Sequence, residues 1–152
     1  MMERFPLPLK AHLPIQGERA ELLGGFMFED SDHGLVQVPA GFVTDFASVK
    51  PLRTIAWVLL ILSLLVGWLL PEAGAVIGSL GYGALALYAS VVGYGNAAAV
   101  IHDRLYFTGQ LSRRASDRVF YNALRSSGVA RWRAWLMWGG VRLGGHWRYN
   151  RK

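Results

Sequence analysis

The sequence predicts an α+β protein in which a small N-terminal sheet is followed by helices, with a two-helix hairpin inserted between the two parts. Residues 1–53 contain strand-like segments around a polar turn, and residues 102–152 show helical spacing. Between them, residues 54–101 carry Glu72 as their single charged residue. We therefore expect the two outer parts to form one domain, interrupted by the hairpin.

The N-terminal part predicts a β-hairpin or a small sheet. Residues 21–29 and 35–39 are rich in apolar residues, and residues 30–34 between them have the Asp, Ser and Gly content of a turn. The segment that follows, residues 42–49, is predicted to be a loop or a short extended segment that carries Asp45.

The uncharged centre predicts a helical hairpin that crosses a membrane twice. Residues 55–70 and 73–101 are each close to the roughly 20 residues that a transmembrane helix requires. Small residues on the second helix, among them Gly78 and Gly81, favour close contact between membrane helices. The competing interpretation is a buried hairpin in a soluble core, for which a chain of 152 residues is short.

Positive charge is concentrated at the C-terminal end. Residues 1–53 contain five Lys or Arg and seven Asp or Glu, whereas residues 102–152 contain eleven Lys or Arg and two Asp. A basic segment interleaved with tryptophans fits anionic lipid or nucleic acid, and the adjacent hydrophobic span favours lipid. Arginines on both sides of the hairpin predict cytoplasmic termini. If those arginines bind lipid phosphate instead, the orientation is not determined.

Three helical segments are predicted in the C-terminal part. The first carries His102 and continues the second hydrophobic segment to Phe107; the second spans residues 113–126 with Ser112 as its cap. The third runs from residue 130 to about residue 143, with Trp135, Leu136 and Trp138 at helical spacing. Its arginines are expected to point outward: Arg131, Arg133 and Arg142.

A histidine, a tyrosine and a carboxylate on the first two of these helices are the candidate catalytic residues. If the helices pair antiparallel about a turn near residue 110, facing residues have numbers that sum to about 220, so His102 faces Asp117. Tyr106 lies one helical turn from His102 and reaches the same carboxylate. Asp103 points about 100° away and is available to another partner. The alternative is a purely structural polar cluster.

Asp45 is the predicted companion of Asp103. The return of the hairpin brings residue 53 close to residue 102, so the two carboxylates could share one Ca²⁺ with backbone carbonyls around Phe46. This oxygen-rich set suits Ca²⁺ better than Zn²⁺, and a chain without Cys has no thiolate zinc site and no cysteine nucleophile. Asp45 could instead close an Asx turn.

The motif His102-Asp103-x-x-Tyr106, with Asp117-Arg118 on the next helix, resembles the catalytic helix pair of the secreted phospholipase A2 superfamily, in its disulfide-poor prokaryotic branch. The resemblance implies that His102 activates a water and that Asp103 ligates Ca²⁺. It also implies that Tyr106 hydrogen-bonds to Asp117, which orients the histidine. The resemblance implies a hydrolase that cleaves phospholipid esters, and the apolar hairpin predicts that it is anchored in the membrane.

A second resemblance covers roughly residues 17–147. The chain is similar to a domain family of unknown function found in phages, prophages and bacteria, in the segments VPAGFVTDFASV, HDRLY and DRVF. This resemblance implies a non-enzymatic alternative: a phage or prophage membrane protein for virion assembly, ejection or lysis, with other phage proteins as partners. A third hypothesis, a nucleic-acid-binding tail, predicts binding that falls steeply with salt.

Overall fold

The computed structural model describes residues 5–13, 19–45, 50–145 and 148–149. Small antiparallel sheets at the N-terminal end are followed by five helices, which confirms the predicted α+β class. The chain divides into two compact units, Met1–Ser48 with Gly93–Lys152, and Val49–Val92. The sequence predicted domain boundaries after residues 53 and 101, which are five and nine residues later than the boundaries in the structure.

The strands form two separate sheets. Strands β1 (Ala11–His12), β2 (Ala20–Leu22) and β5 (Val43–Thr44) pair in the order β1-β2-β5, and β3 (Phe26–Asp30) pairs with β4 (Gly34–Val38) as a hairpin. The single strand predicted over residues 21–29 is therefore two strands. Two consecutive glycines, Gly24 and Gly25, separate them, because glycine has no side chain to pack on a sheet and a high entropic cost in a strand.

The second unit is an antiparallel helical hairpin of α1 (Lys50–Leu69) and α2 (Pro71–Val91). A Cβ on Gly74 would lie 2.3 Å from the Gly67 Cα, and a Cβ on Gly78 would lie 2.7 Å from the Ser63 hydroxyl oxygen. These glycines therefore permit the close approach of the helices. The Ser63 hydroxyl also donates to the Gly74 carbonyl at 2.9 Å. The small-residue contact predicted for Gly78 is confirmed.

Of the helices in the described ranges, α2 alone is both long and apolar enough to cross a membrane. The apolar stretch of α1, Arg53–Leu69, is shorter. A two-span hairpin consequently stays a prediction, while the pairing of the two helices is a structural finding.

The sequence predicted that the second apolar segment continues as one helix to Phe107, and this prediction is wrong. Helix α2 ends at Val91, and α3 (Asn96–Thr108) begins after a short link in which Gly93 and Gly95 have φ values of 82° and 73°. Glycine adopts this left-handed conformation without the steric cost that other residues meet, so the helical conformation can be interrupted here. Composition alone hides the break, since the link is as uncharged as its neighbours.

Helices α4 (Arg113–Ser126) and α5 (Arg131–Gly144) complete the first unit. The predicted cap of α4 is confirmed, because the Ser112 hydroxyl oxygen accepts a hydrogen bond from the Ala115 amide at 3.2 Å. The core lies among α3, α4, α5 and the β3–β4 hairpin, where the following side chains are buried: Phe28, Val36, Val100, Ile101, Leu105, Val119, Phe120, Leu124 and Met137.

Candidate active site

Asp117 on α4 is completely buried and is the centre of a polar cluster that joins three helices. Its Oδ1 lies 3.0 Å from Nε2 of His102 and accepts a hydrogen bond from the Tyr106 hydroxyl at 2.6 Å. Its Oδ2 accepts from Nη1 of Arg142 at 2.8 Å. The contacts predicted from helix spacing, His102 and Tyr106 with Asp117, are confirmed as contacts, and their catalytic role stays a prediction.

The His102 ring contacts two aromatic rings inside the helical core. Its centroid lies 4.0 Å from that of Tyr106, one turn along α3, and 4.8 Å from that of Phe120 on α4. The side chain of His102 is only 5% exposed. These ring contacts, together with the bond to Asp117, fix the orientation of the imidazole before any substrate arrives.

The arginines around Asp117 were missed by sequence reasoning. Arg142 was predicted to face outward, which is wrong, because its guanidinium bonds to Asp117 from α5. The Nε atom of Arg113 lies 3.8 Å from the same carboxylate at i,i+4 spacing, a relation that the sequence could have revealed. No local signal indicates Arg142, since only the packing of α5 on α4 brings residue 142 to residue 117.

These contacts determine the ionisation of the cluster. Burial raises the pKa of Asp117, but hydrogen bonds from His102, Tyr106 and Arg142 outweigh burial, so the net pKa is lowered. Burial, together with the hydrogen bond and charge of Asp117, raises the pKa of Tyr106. Asp117 is therefore an ionised acceptor at neutral pH, and Tyr106 is a neutral donor.

An ionised carboxylate can only accept hydrogen bonds, so Nε2 of His102 carries the proton that it shares with Asp117. In neutral imidazole the lone pair is then on Nδ1. No hydrogen bond joins Nδ1 to any residue in the part of the chain that the structure describes. The arrangement presents Nδ1 as a proton acceptor, with Asp117 behind the ring to stabilise the imidazolium.

Asp103 joins the helical part of the site to the small sheet. The hydroxyl of Thr44 on β5 donates to Oδ2 of Asp103 at 2.5 Å, which brings together the segments VPAGFVTDFASV and HDRLY of the sequence. Burial raises the pKa of Asp103 and the neighbouring Asp45 charge raises it further, while Thr44, His102 and Arg148 act in the opposite direction.

The two predicted calcium ligands lie within electrostatic reach of each other, but the described donors do not complete a calcium site. Ca²⁺ takes six to eight oxygens, whereas two carboxylates and the Thr44 hydroxyl provide fewer. Nη2 of Arg148 also bonds to Asp45 at 2.8 Å and supplies positive charge there. The carbonyls around Phe46 lie outside the described residues, so calcium binding stays a prediction.

Gly145 at the end of α5 is a further residue that the sequence did not indicate. Its φ of −80° suits any residue, but a Cβ there would lie 2.6 Å from the Tyr106 hydroxyl oxygen. The absent side chain thus leaves the space in which Tyr106 reaches Asp117.

A second histidine–aspartate contact lies in the β3–β4 turn. Asp30 accepts hydrogen bonds from the Asp32 amide, from both the amide and Nδ1 of His33, and from the Asn122 side chain. The potential ligand atoms of Asp30, Asp32 and His33 lie within 4.8 Å of one another. Because both Asp30 oxygens already accept protein donors, we interpret the cluster as a turn that is anchored to α4.

Part of the chain matches a known protein family. Residues 83–141 match a family described as "Protein of unknown function (DUF1353)". The match begins within α2 at residue 83 and extends into α5, and it includes His102, Asp103, Tyr106 and Asp117 but not Asp45. No curated protein and no solved structure matches the chain. The family contributes no activity, so the function is argued from the site.

Proposed function

We propose that this protein is a membrane-anchored hydrolase of phospholipid esters in which His102 is the general base. The supporting observation is the contact of Nε2 of His102 with the buried, ionised Asp117. Because Nε2 carries the proton in this contact, Nδ1 on the other side of the ring has the free lone pair. The apolar helix α2 supports the membrane location by its length and hydropathy. The resemblance of the His-Asp-x-x-Tyr motif supports the lipid ester as the substrate.

The proposed reaction uses one water molecule. Nδ1 of His102 removes a proton from the water as its oxygen attacks the ester carbonyl carbon, and the imidazolium then gives that proton to the departing alcohol. The products are a fatty acid and a lysophospholipid. Asp117 stabilises the imidazolium, while Tyr106 and Arg142 hold the carboxylate in place.

A second candidate is a non-enzymatic membrane protein in which the same cluster fastens the helices together. The observation that favours it is that Asp117 on α4 receives donors from both α3 and α5, including the cation of Arg142. A buried carboxylate with three partners has a structural role whether or not chemistry occurs. The phage or virion association of this candidate rests on the resemblance alone.

Fatty-acid release from phospholipid vesicles distinguishes the candidates. The wild type is compared with His102→Gln and with His33→Gln, a matched control that removes the other histidine–aspartate contact. We expect a loss of about 100-fold or more for His102→Gln, since a general base contributes roughly 10²–10⁴-fold, and no loss for His33→Gln. Equal rates for wild type and His102→Gln, or a wild type that releases no fatty acid, would contradict the hydrolase and favour the second candidate.

The dependence on calcium is a separate measurement on the same vesicles. If Asp103 and Asp45 hold Ca²⁺, a chelator abolishes fatty-acid release and added Ca²⁺ restores it, and Asp103→Asn raises the Ca²⁺ concentration required. Release that continues in the chelator would remove calcium from the proposal and leave His102 as the base.

A further inference from the structure

Helix α5 exposes an apolar stripe to solvent, opposite the side that packs on α4. At about 100° per residue, Trp132, Trp135, Leu136 and Leu143 fall on one face of α5, and their exposed fractions are 53%, 56%, 42% and 84%. The opposite face supplies the buried residues Ala134, Met137 and Val141. We call the four exposed side chains the α5 stripe. An ordinary solvated helix has a polar outer face, so the α5 stripe indicates a second apolar environment.

Basic residues line the α5 stripe. Arg131 and Arg133 lie on opposite edges of it at helical spacing, and residues 102–152 contain eleven Lys or Arg against two Asp. A helix with exposed Trp and Leu between arginines has the composition of one that lies in the plane of a membrane interface. The arginines complement the phosphates of anionic lipids, and the indole rings suit the headgroup level.

The start of α5 contacts Tyr94, which lies shortly after α2 in the sequence. The guanidinium of Arg133 lies 3.8 Å from the ring centroid of Tyr94 and 4.8 Å from that of Trp132. Tyr94 is 48% exposed and follows the last residue of α2, Val91, by three residues. Three extended residues reach about 11 Å at most. If α2 spans the bilayer, Tyr94 and the start of α5 are thus held near its surface.

We propose that α5 lies in the interface of an anionic bilayer, with the α5 stripe among the acyl chains and Arg131 and Arg133 at lipid phosphates. The inference rests on the membrane location contained in the proposed function, but it does not depend on hydrolysis or on His102. Such contact would hold the first unit, and with it the candidate site, at the lipid surface.

Site-specific labels test the proposal directly, because the chain contains no Cys. The full chain is prepared as Leu136→Cys or Leu143→Cys in the α5 stripe, and as Leu35→Cys in β4, a control that is 49% exposed. Each variant carries a polarity-sensitive fluorophore and is reconstituted into phosphatidylcholine vesicles with and without phosphatidylglycerol. The measurements are the emission wavelength and the quenching by aqueous iodide.

We expect blue-shifted emission and several-fold weaker quenching at positions 136 and 143 than at position 35, with further protection when phosphatidylglycerol is present. Replacing both arginines, Arg131→Gln with Arg133→Gln, should remove that additional protection. Equal quenching at all three positions would overturn the proposal. Protection that disappears when the protein is diluted in lipid would also overturn it, because it would identify a second copy as the partner. Neither readout requires activity, so failure of the hydrolase leaves the result interpretable.

Discussion

Among the residues that the structure describes are two histidine–aspartate contacts of almost equal length, whose histidines differ in their surroundings. His33 and Asp30 are three residues apart in a turn at 2.9 Å, and the histidine side chain is 24% exposed. His102 and Asp117 lie on two helices at 3.0 Å, and their side chains are 5% and 0% exposed. The distance alone therefore does not distinguish a turn from a candidate catalytic pair.

The difference lies in the other partners of each carboxylate. Asp30 accepts from backbone amides and from the neutral side chain of Asn122, as a carboxylate does when it closes a turn. Asp117 accepts from Tyr106 and from the cation of Arg142 inside the core. Both carboxylates are fully buried, but Asp117 is paired with a cation and with a buried histidine, whereas Asp30 is bonded to neutral groups and to a histidine that is partly exposed.

The largest effect should come from replacing the buried carboxylate. We expect Asp117→Asn to lower the free energy of unfolding by about 3–5 kcal/mol, because it leaves Arg142 without its buried partner. The matched change in the turn, Asp30→Asn, keeps most of its neutral donors and should cost about 1–2 kcal/mol. Chemical denaturation in detergent measures both values. Equal losses would contradict the distinction between the two contacts.

The next largest effect should come from adding a side chain at Gly145, which contacts Tyr106 where this residue reaches Asp117. Gly145→Ala should cost about 1–3 kcal/mol of stability through overpacking against the Tyr106 ring and hydroxyl. In a Tyr106→Phe background, where the nearest atom is absent, the same change should cost less. A double-mutant cycle measures the coupling. Additive losses would show that Gly145 acts independently of the Tyr106 hydroxyl.

The pH dependence of stability should separate Asp103 from the two paired carboxylates. The pKa values of Asp30 and Asp117 are lowered from 3.8, so both groups stabilise the fold above that pH and lose this contribution as the pH falls through their folded values. The pKa of Asp103 is raised from 3.8, so its ionisation costs stability as the pH rises through its folded value.

Asp103→Asn provides the measurement of that cost. The melting temperature of the variant relative to wild type should increase from pH 4 to pH 7, because the variant has no carboxylate to ionise. A relative melting temperature that falls over this range would mean that the ionised form of Asp103 is the better-stabilised one.

The smallest effect is expected in the turn itself. His33→Gln should reduce stability by less than about 1 kcal/mol, since the histidine is partly exposed and Asp30 retains its backbone donors. Thermal melting of the variant checks this value. A loss comparable to that of Asp117→Asn would show that the turn is as important to the core as the helix pair.

The sequence predicted those parts of the site that depend on local spacing. The antiparallel register of two adjacent helices brought His102 opposite Asp117, and one helical turn placed Tyr106 beside them; both contacts are present. The cap and bounds of α4 were likewise predicted, because a serine followed by an amphipathic segment is a local signal. The division of residues 21–29 into two strands was missed, although the consecutive glycines Gly24 and Gly25 are a local signal for it.

The sequence by itself determined the fold class, the apolar hairpin and the histidine–aspartate register, because each follows from composition or from the period of a single element or of two adjacent elements. Tertiary structure alone decided that Arg142 bonds to Asp117, that Gly145 makes room for Tyr106, and that Thr44 reaches Asp103. These residues are separated from their partners by 25 to 59 positions in the sequence. Their contacts depend on how whole elements pack, which no local pattern encodes.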